Sequence, residues 1–391
     1  MRAGLACGAV AACGLLVLLG GSGERMESPA APHAVPAVRP APPSGYRIPR
    51  GAIRVSTAHE LHAALALRQR RAIVLAPGTY ESRRPFLNPH GHHVYAGRRG
   101  RAVMRAGLSL GGNSGRPGGR VRGLVFDIED PRRTVDGAAI AVWGTGRDVR
   151  IVDATMRGNG VIRAGIAAQQ PEGLVIRRVR IRRFTDFGIF VDANQLGRGP
   201  LEAPFRIVDA DVAHVGRPVP GSSEGRAEAC VWIGNTGTVR RVHARSCAWT
   251  GLWTGTATQG AIVDRLDVDR TPTGVYVEHF THDSTFRRLR IGRGVRVGLN
   301  AEWADPAWDR RPASVGNLIE LSRFESRLVG VYLDEGTTRT SVRRSTFANQ
   351  SWAAIGDYRG DGNAFAANDY SGVDPGAATV RRDHLSTARD P

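Results

Sequence analysis

Lysine is absent: every one of the 54 basic side chains in this 391-residue chain is arginine. The formal charge of +18 against 36 acids therefore comes from arginine alone and reflects compositional bias as much as a selected surface. The arginines are spread along the chain rather than gathered in one run, which argues against a nucleic-acid-binding protein. Cysteine is scarce. Of four, Cys7 and Cys13 fall near the N-terminus and only Cys230 and Cys247 belong to the body. Two cysteines without clustered histidines exclude a cysteine-based metal site. Their places in the repeat described below put them several residues out of register, so no bridge between them is expected. Long apolar runs are also missing, apart from the uncharged stretch Ala3 to Gly23 after Arg2. It reads as a secretory signal peptide or a retained anchor, which implies a secreted or extracytoplasmic protein that touches a membrane only through this segment. Val10-Ala11-Ala12-Cys13 has the form of a lipoprotein cleavage site, but the apolar run continues to Leu19, which weighs against lipidation.

What is present is a repeat. GLWT begins at Gly251, GVYV at Gly274, GLNA at Gly298 and GVYL at Gly330, so the steps are 274−251=23, 298−274=24 and 330−298=32 residues. GIAA from Gly165, GIFV from Gly188 and CVWI from Cys230 fit the same phrase, the last with cysteine in the glycine position. A short strand recurring every two dozen residues signals a stacked solenoid. On a strand, the residue after the glycine and the one two further on face inward, and the residue between them faces out. The outward row then runs Phe190, Trp232, Trp253, Tyr276, Asn300 and Tyr332. Two positions later, again outward, stand Gly255, Glu278, Glu302 and Asp334.

A second strand precedes each phrase, as in VRIVDATM from Val149 or FRIVDADV from Phe205. Aligned on their apolar residues, these strands share a position that reads Asp153, Arg178, Asp209, Arg241, Asp264 and Arg288. Stacked coils place that position about 4.8 Å from itself, so alternating signs attract both neighbours and form a structural ladder.

Four regions follow: a leader or anchor over 1–27, a Pro/Ala-rich linker over 28–50, one elongated domain over 51–367 and a polar tail over 368–391. At the domain's start, Ser56 and Thr57 precede a helical pattern of Leu61, Ala64, Leu65 and Leu67, then the strand Ala72 to Leu75 and the turn APGTY. This opening resembles that of right-handed parallel β-helix proteins of the pectin-lyase-like class. The expected fold is therefore all-β, a single-stranded right-handed parallel β-helix with a short N-terminal helix capping its first coil. The class includes polysaccharide lyases, hydrolases, esterases, epimerases and phage tailspikes, and the resemblance is specific for fold rather than for one activity. Asn235-Thr236-Gly237 and His90-Gly91-His92 only brush against the polygalacturonase motifs, and the catalytic lysine of alginate and chondroitin lyases has no counterpart here.

An outward aromatic row suits the flat faces of sugars, and one sugar unit is about as long as a coil is thick. Phe190, Trp232, Trp253, Tyr276, Asn300, Trp303 and Tyr332 are the candidate substrate-binding residues, and the expected ligand is a polysaccharide, with the arginine excess suiting an anionic one. Glu278, Glu302 and Asp334 on consecutive coils are the candidate catalytic acids. Their spacing matches the roughly 5 Å of retaining and 6.5 to 9.5 Å of inverting glycosidases, and crowding raises a carboxyl pKa as a general acid requires. Two alternatives stay open for these acids: holding Ca2+ through oxygen ligands, or pairing with Arg287, Arg293 or Arg296 on a solvated face. His279 and His282 adjoin them. The reading is a monomeric carbohydrate-active protein that hydrolyses or eliminates its polymer, with a non-catalytic carbohydrate-binding or envelope protein as the alternative and no cofactor required beyond optional Ca2+.

Overall fold

Alternation along short strands decides the architecture. In the computed structural model, residues 48–111, 118–143, 147–192, 204–216, 228–255, 258–278, 280–301 and 314–385 are described, so the leader and nearly all of the linker lie outside. Each regular coil contributes a strand such as Arg150–Val152, a two-residue bend, a strand such as Thr155–Arg157, a corner, and a third strand such as Ala164–Gln169. The third strands stack in parallel into a twelve-stranded sheet, and the first two into a sheet of 22 strands. Every strand pairing in these sheets is parallel, coil upon coil.

Inward positions form apolar columns that run the length of the rod. One contains Ile151, Ile176, Ile207, Val239, Val263, Phe286, Ile319 and Val342, all buried. Phe324, Phe347 and Tyr370 stack ring on ring in a neighbouring column, at 5.2 and 5.5 Å. The helix Ala58–Leu65 closes the first coil, as expected, with Leu61, Ala64 and Leu65 buried. Its N-terminus carries a reciprocal cap: Glu60 N–H donates to Thr57 Oγ1 at 3.1 Å, and Thr57 N–H to Glu60 Oε2 at 3.2 Å. Leu67 lies beyond the helix and is exposed. At the far end the sheets run past Asn368, because Asp369–Gly372 and Ala378–Arg381 add to the last coil. No helix among the described residues is long and apolar enough to cross a membrane.

The bend between the first two strands is left-handed, at φ 57° for Asp153, 52° for Arg178, 58° for Asp209 and 52° for Arg241. This conformation is costly for any residue with a β-carbon. Ion pairs between coils offset it. Arg178 Nε meets Asp153 Oδ1 at 2.6 Å, and Arg241 Nε meets Asp209 Oδ1 at 2.5 Å. The expected alternation then slips. Arg240, not Arg241, is in register with Asp264, so the bend of that coil is Arg265 at φ 60°. Asp264 instead lies buried one position earlier, its carboxylate 2.6 Å from Arg288, 3.4 Å from Arg240 and 3.6 Å from Arg287. The slip arises because the inward pair Val263 and Leu266 stacks on Val239 and Val242, and apolar burial outweighs charge order.

The sequence reading is also corrected at the cysteines. Cys230 and Cys247 form a disulfide, with Cα atoms 5.7 Å apart. Register between stacked strands is the wrong measure for this pair, because the bond crosses the interior within one coil. The glycine position sits at a corner where a side chain points inward: a β-carbon on Gly188 would lie 2.2 Å from a Val212 methyl. Cysteine at that position aims its sulfur at the end of the strand Gly237–Cys247.

A second set of polar stacks lies at the turns. Ala261 N–H donates to Ser284 Oγ, Ser284 N–H to Asn317 Oδ1 and Thr340 N–H to Asn363 Oδ1, at 3.1, 3.0 and 2.8 Å. Asn317 Nδ2 also donates to the Thr281 carbonyl at 2.9 Å. Replacing Asn317 with alanine strands a buried donor, Ser284 N–H, and a buried acceptor, the Thr281 carbonyl, both on the preceding coil, and is expected to cost about 2 kcal/mol. A urea titration checks this, and an unshifted midpoint would show that the stack carries no stability.

Candidate functional site

In-register parallel pairing brings the outward residues of the third strands into one column: Phe190, Trp232, Trp253, Tyr276, Asn300 and Tyr332. Towards the N-terminus the same column holds Leu87, Ser109, Ala141 and Ala167, and beyond Tyr332 it holds Gly356 and Arg381. The aromatic rings thus occupy a limited stretch of a longer face. Phe190 stacks on Trp232 at 4.6 Å between centroids, with planes 23° apart. Trp232 meets Trp253 edge-on at 6.4 Å, and Trp253 meets Tyr276 edge-on at 5.5 Å. The indole of Trp232 lies over Gly255, where a β-carbon would sit 2.0 Å from Cζ2.

The rings differ in access. Phe190, Trp232 and Trp253 are half-buried, whereas Tyr276 is 8% and Tyr332 4% exposed. Sequence reasoning missed the residues packed against these tyrosines. Trp249 packs on Trp253 at 4.8 Å and on Tyr276 at 4.6 Å, while Trp352 meets Tyr332 at 6.1 Å. The available signal was an aromatic just before the glycine phrase, as in Trp249 before Gly251. The chain's own C-terminal stretch lies against the Tyr332 end. Leu385 N–H donates to Tyr332 Oη at 3.1 Å, His384 packs on Tyr358 at 4.8 Å, and Arg381 lies 5.3 Å from the Trp352 ring centre. Burial pushes the Tyr332 phenol well above its ordinary pKa. Between the two tyrosines, Asn300 Oδ1 is a buried acceptor with no hydrogen-bond partner among the described residues.

Of the three candidate acids, two are described. Glu278 Oε2 accepts a hydrogen bond from Trp253 Nε1 at 3.0 Å, which ties the acid to the aromatic column. Asp334 Oδ1 accepts from Glu335 N–H at 2.8 Å and from Tyr332 Oη at 3.4 Å. Glu302, Trp303 and His279 lie outside the described residues. Among the described residues, no three His, Cys, Asp or Glu side chains gather as a metal site would need. Glu278 and Asp334 stand on coils two apart, so their backbones are separated by about 9.6 Å.

No protein-family model matches the chain, and no curated protein does. Solved structures do. The chain is similar to PfbA, a surface adhesin of Streptococcus pneumoniae, at 11% identity and a TM-score of 0.53, over 83% of this chain and 88% of that one. The protein has a parallel β-helix fold. Lesser likenesses are to an alginate lyase from Paenibacillus sp. str. FPU-7, 12% identical with a TM-score of 0.40 over 85% of this chain and 98% of that one, and to the A-module of the Azotobacter vinelandii mannuronan C-5 epimerase AlgE6, 10% identical with a TM-score of 0.39 over 84% and 94%. In this β-helix, the half-exposed rings fall on three successive coils of the twelve-stranded sheet.

Proposed function

We propose that this protein is an exported carbohydrate-binding β-helix that holds a polysaccharide along Phe190, Trp232 and Trp253. The carrying observation is the in-register, half-exposed aromatic column, because rings left partly in water are favoured where a flat apolar face covers them. Export accords with the apolar N-terminal segment and with the disulfide, a bond that persists in oxidising compartments. Cleavage is the second reading. It is favoured by Glu278, which Trp253 orients beside the column, and by Asp334 about two coils away, near the upper end of the roughly 6.5 to 9.5 Å separation of inverting glycosidases.

Tryptophan fluorescence titrations against neutral and acidic oligosaccharides test both readings. At least one sugar is expected to bind, with Trp232→Ala and Trp253→Ala each weakening it by about tenfold, on the order of 1.4 kcal/mol. Affinity unchanged in both variants, or no binding across the panel, would reject the aromatic face. If the wild type also releases new chain ends, Glu278→Gln should abolish turnover and retain binding. A wild type that releases none leaves a binding protein.

A further inference from the structure

Away from the aromatic face, the first strand of each coil presents two outward columns, and they differ in how their charge is compensated. One residue after the buried position stand Arg122, Arg177, Arg240 and Arg287. Each has an aspartate close by, with Arg122 3.3 Å from Asp153, Arg177 3.9 Å from Asp209, and Arg240 and Arg287 3.4 and 3.6 Å from Asp264. One residue before the buried position, successive coils present His93, Arg120, Arg150, Val175 and Arg206. No acid stands in this column over these five coils. Among the described residues, none of the three exposed arginines 120, 150 and 206 has an ion-pair partner.

Arg120 and Arg150 are direct neighbours across adjacent strands, where like charges repel. Arg70 joins them from the turn above, its Nη2 donating to the Gly118 carbonyl at 2.7 Å. Burial and the charge of Arg120 push the Arg70 pKa down, with Tyr95 and Asp148 partly offsetting them. The imidazole of His93 is pushed down to about 4 by burial and then by Arg70, Arg120 and His92, and its Nδ1 is buried with no partner among the described residues. Positive charge without ion-pair partners is thus concentrated here, while each arginine of the next column lies beside an aspartate.

We infer that the column of Arg120, Arg150 and Arg206, with Arg70 beside it, is a second binding strip, separate from the aromatic face, for a linear glycan bearing carboxylate or sulfate groups. The line of charge follows the rod axis with a rise of about 4.8 Å per coil, close to the length of one sugar unit. A membrane surface would engage both outward columns alike, yet each arginine of the other column already has an aspartate within 3.9 Å. Single-stranded nucleic acid needs a run of rings on which bases stack, and this column offers only the half-buried imidazole of His93.

The test uses the full chain and the triple variant Arg120→Gln, Arg150→Gln, Arg206→Gln, with wild-type thermal melting as the folding control. An oligogalacturonate octamer probes carboxylate and a heparin-derived octasaccharide probes sulfate, each titrated by calorimetry at several salt concentrations. At low salt the wild type is expected to bind at least one of them. The triple variant should lose at least about tenfold in affinity, and the slope of log K against log salt should fall by on the order of 0.5 to 1 per arginine removed. A bound octamer should also raise the His93 pKa, read by NMR, in the wild type and in Trp232→Ala alike. The inference is overturned if neither octamer binds, if the triple variant binds as the wild type does, or if acidic-glycan binding is lost only on mutating Trp232 and Trp253. Single-stranded DNA or anionic vesicles that bind as tightly through these arginines would overturn it too. Neutral-sugar titration of the tryptophan variants reports separately on the aromatic face.

Discussion

Removing the covalent link between Cys230 and Cys247, by the paired substitutions Cys230→Ala and Cys247→Val, is expected to lower the free energy of unfolding by about 3 kcal/mol. The bond closes a loop of sequence separation 17, and a loop of that length restrains the unfolded chain by about this amount. Alanine suits the first position because Ala139 and Ala354 occupy it on other coils and are fully buried. Valine suits the second because Val215 is its in-register neighbour. The variant therefore removes the link with little change in packing. Denaturant titrations with and without reductant check it: the wild type in reductant should match the variant, and a variant midpoint equal to that of the oxidised wild type would show that the bond adds nothing. The site has a functional side as well. Cys230 precedes Trp232 by two residues and Cys247 precedes Trp249 by two, so the link fixes the spacing of the strands that carry the aromatic cluster.

Asp153→Asn should cost about 2 to 3 kcal/mol at neutral pH. The Asp153 side chain is 3% exposed and accepts from Arg178 at 2.6 and 3.0 Å and from Arg122 at 3.3 Å, with Arg99 3.7 Å away. Hydrogen bonds to charged groups contribute about 1.5 to 3 kcal/mol, and asparagine keeps the shape but not the charge. Burial alone would raise the carboxyl pKa, but Arg178, Arg99 and Arg122 outweigh it and hold the pKa below the usual value of 3.8. A folded-state pKa below the unfolded one means that the unfolded chain binds the proton more readily in acid. The stabilisation is thus present above about pH 4 and lost as pH falls through the lower folded-state value. The gap in melting temperature between wild type and variant should narrow as pH drops below 4. A gap independent of pH would assign the effect to packing rather than to the carboxylate.

The solenoid was legible because burial on a strand alternates with period two. Phe190, Trp232, Trp253 and Tyr276 share a column for the same reason that Ile189, Val231, Leu252 and Val275 share an inward one. Other features depend on what happens at corners and across the interior, where no period applies. Trp249 sits at a corner and turns onto Tyr276, and the disulfide crosses a coil rather than joining two. Tyr332 is met by Leu385, 53 residues away in a stretch without periodicity. The misplaced Asp264 shows the hierarchy plainly: the alignment that kept charges alternating moved a residue which apolar stacking holds one position earlier.

The uniform direction of the strands gives the rod a front and a back. Every rung points the same way, so the aromatic face looks different to a polymer entering from the Phe190 end than to one entering from the Tyr332 end, where Leu385 and Trp352 stand. The two orientations of the proposed glycan along this face are therefore inequivalent, and labelling its reducing end should favour one end of the column over the other.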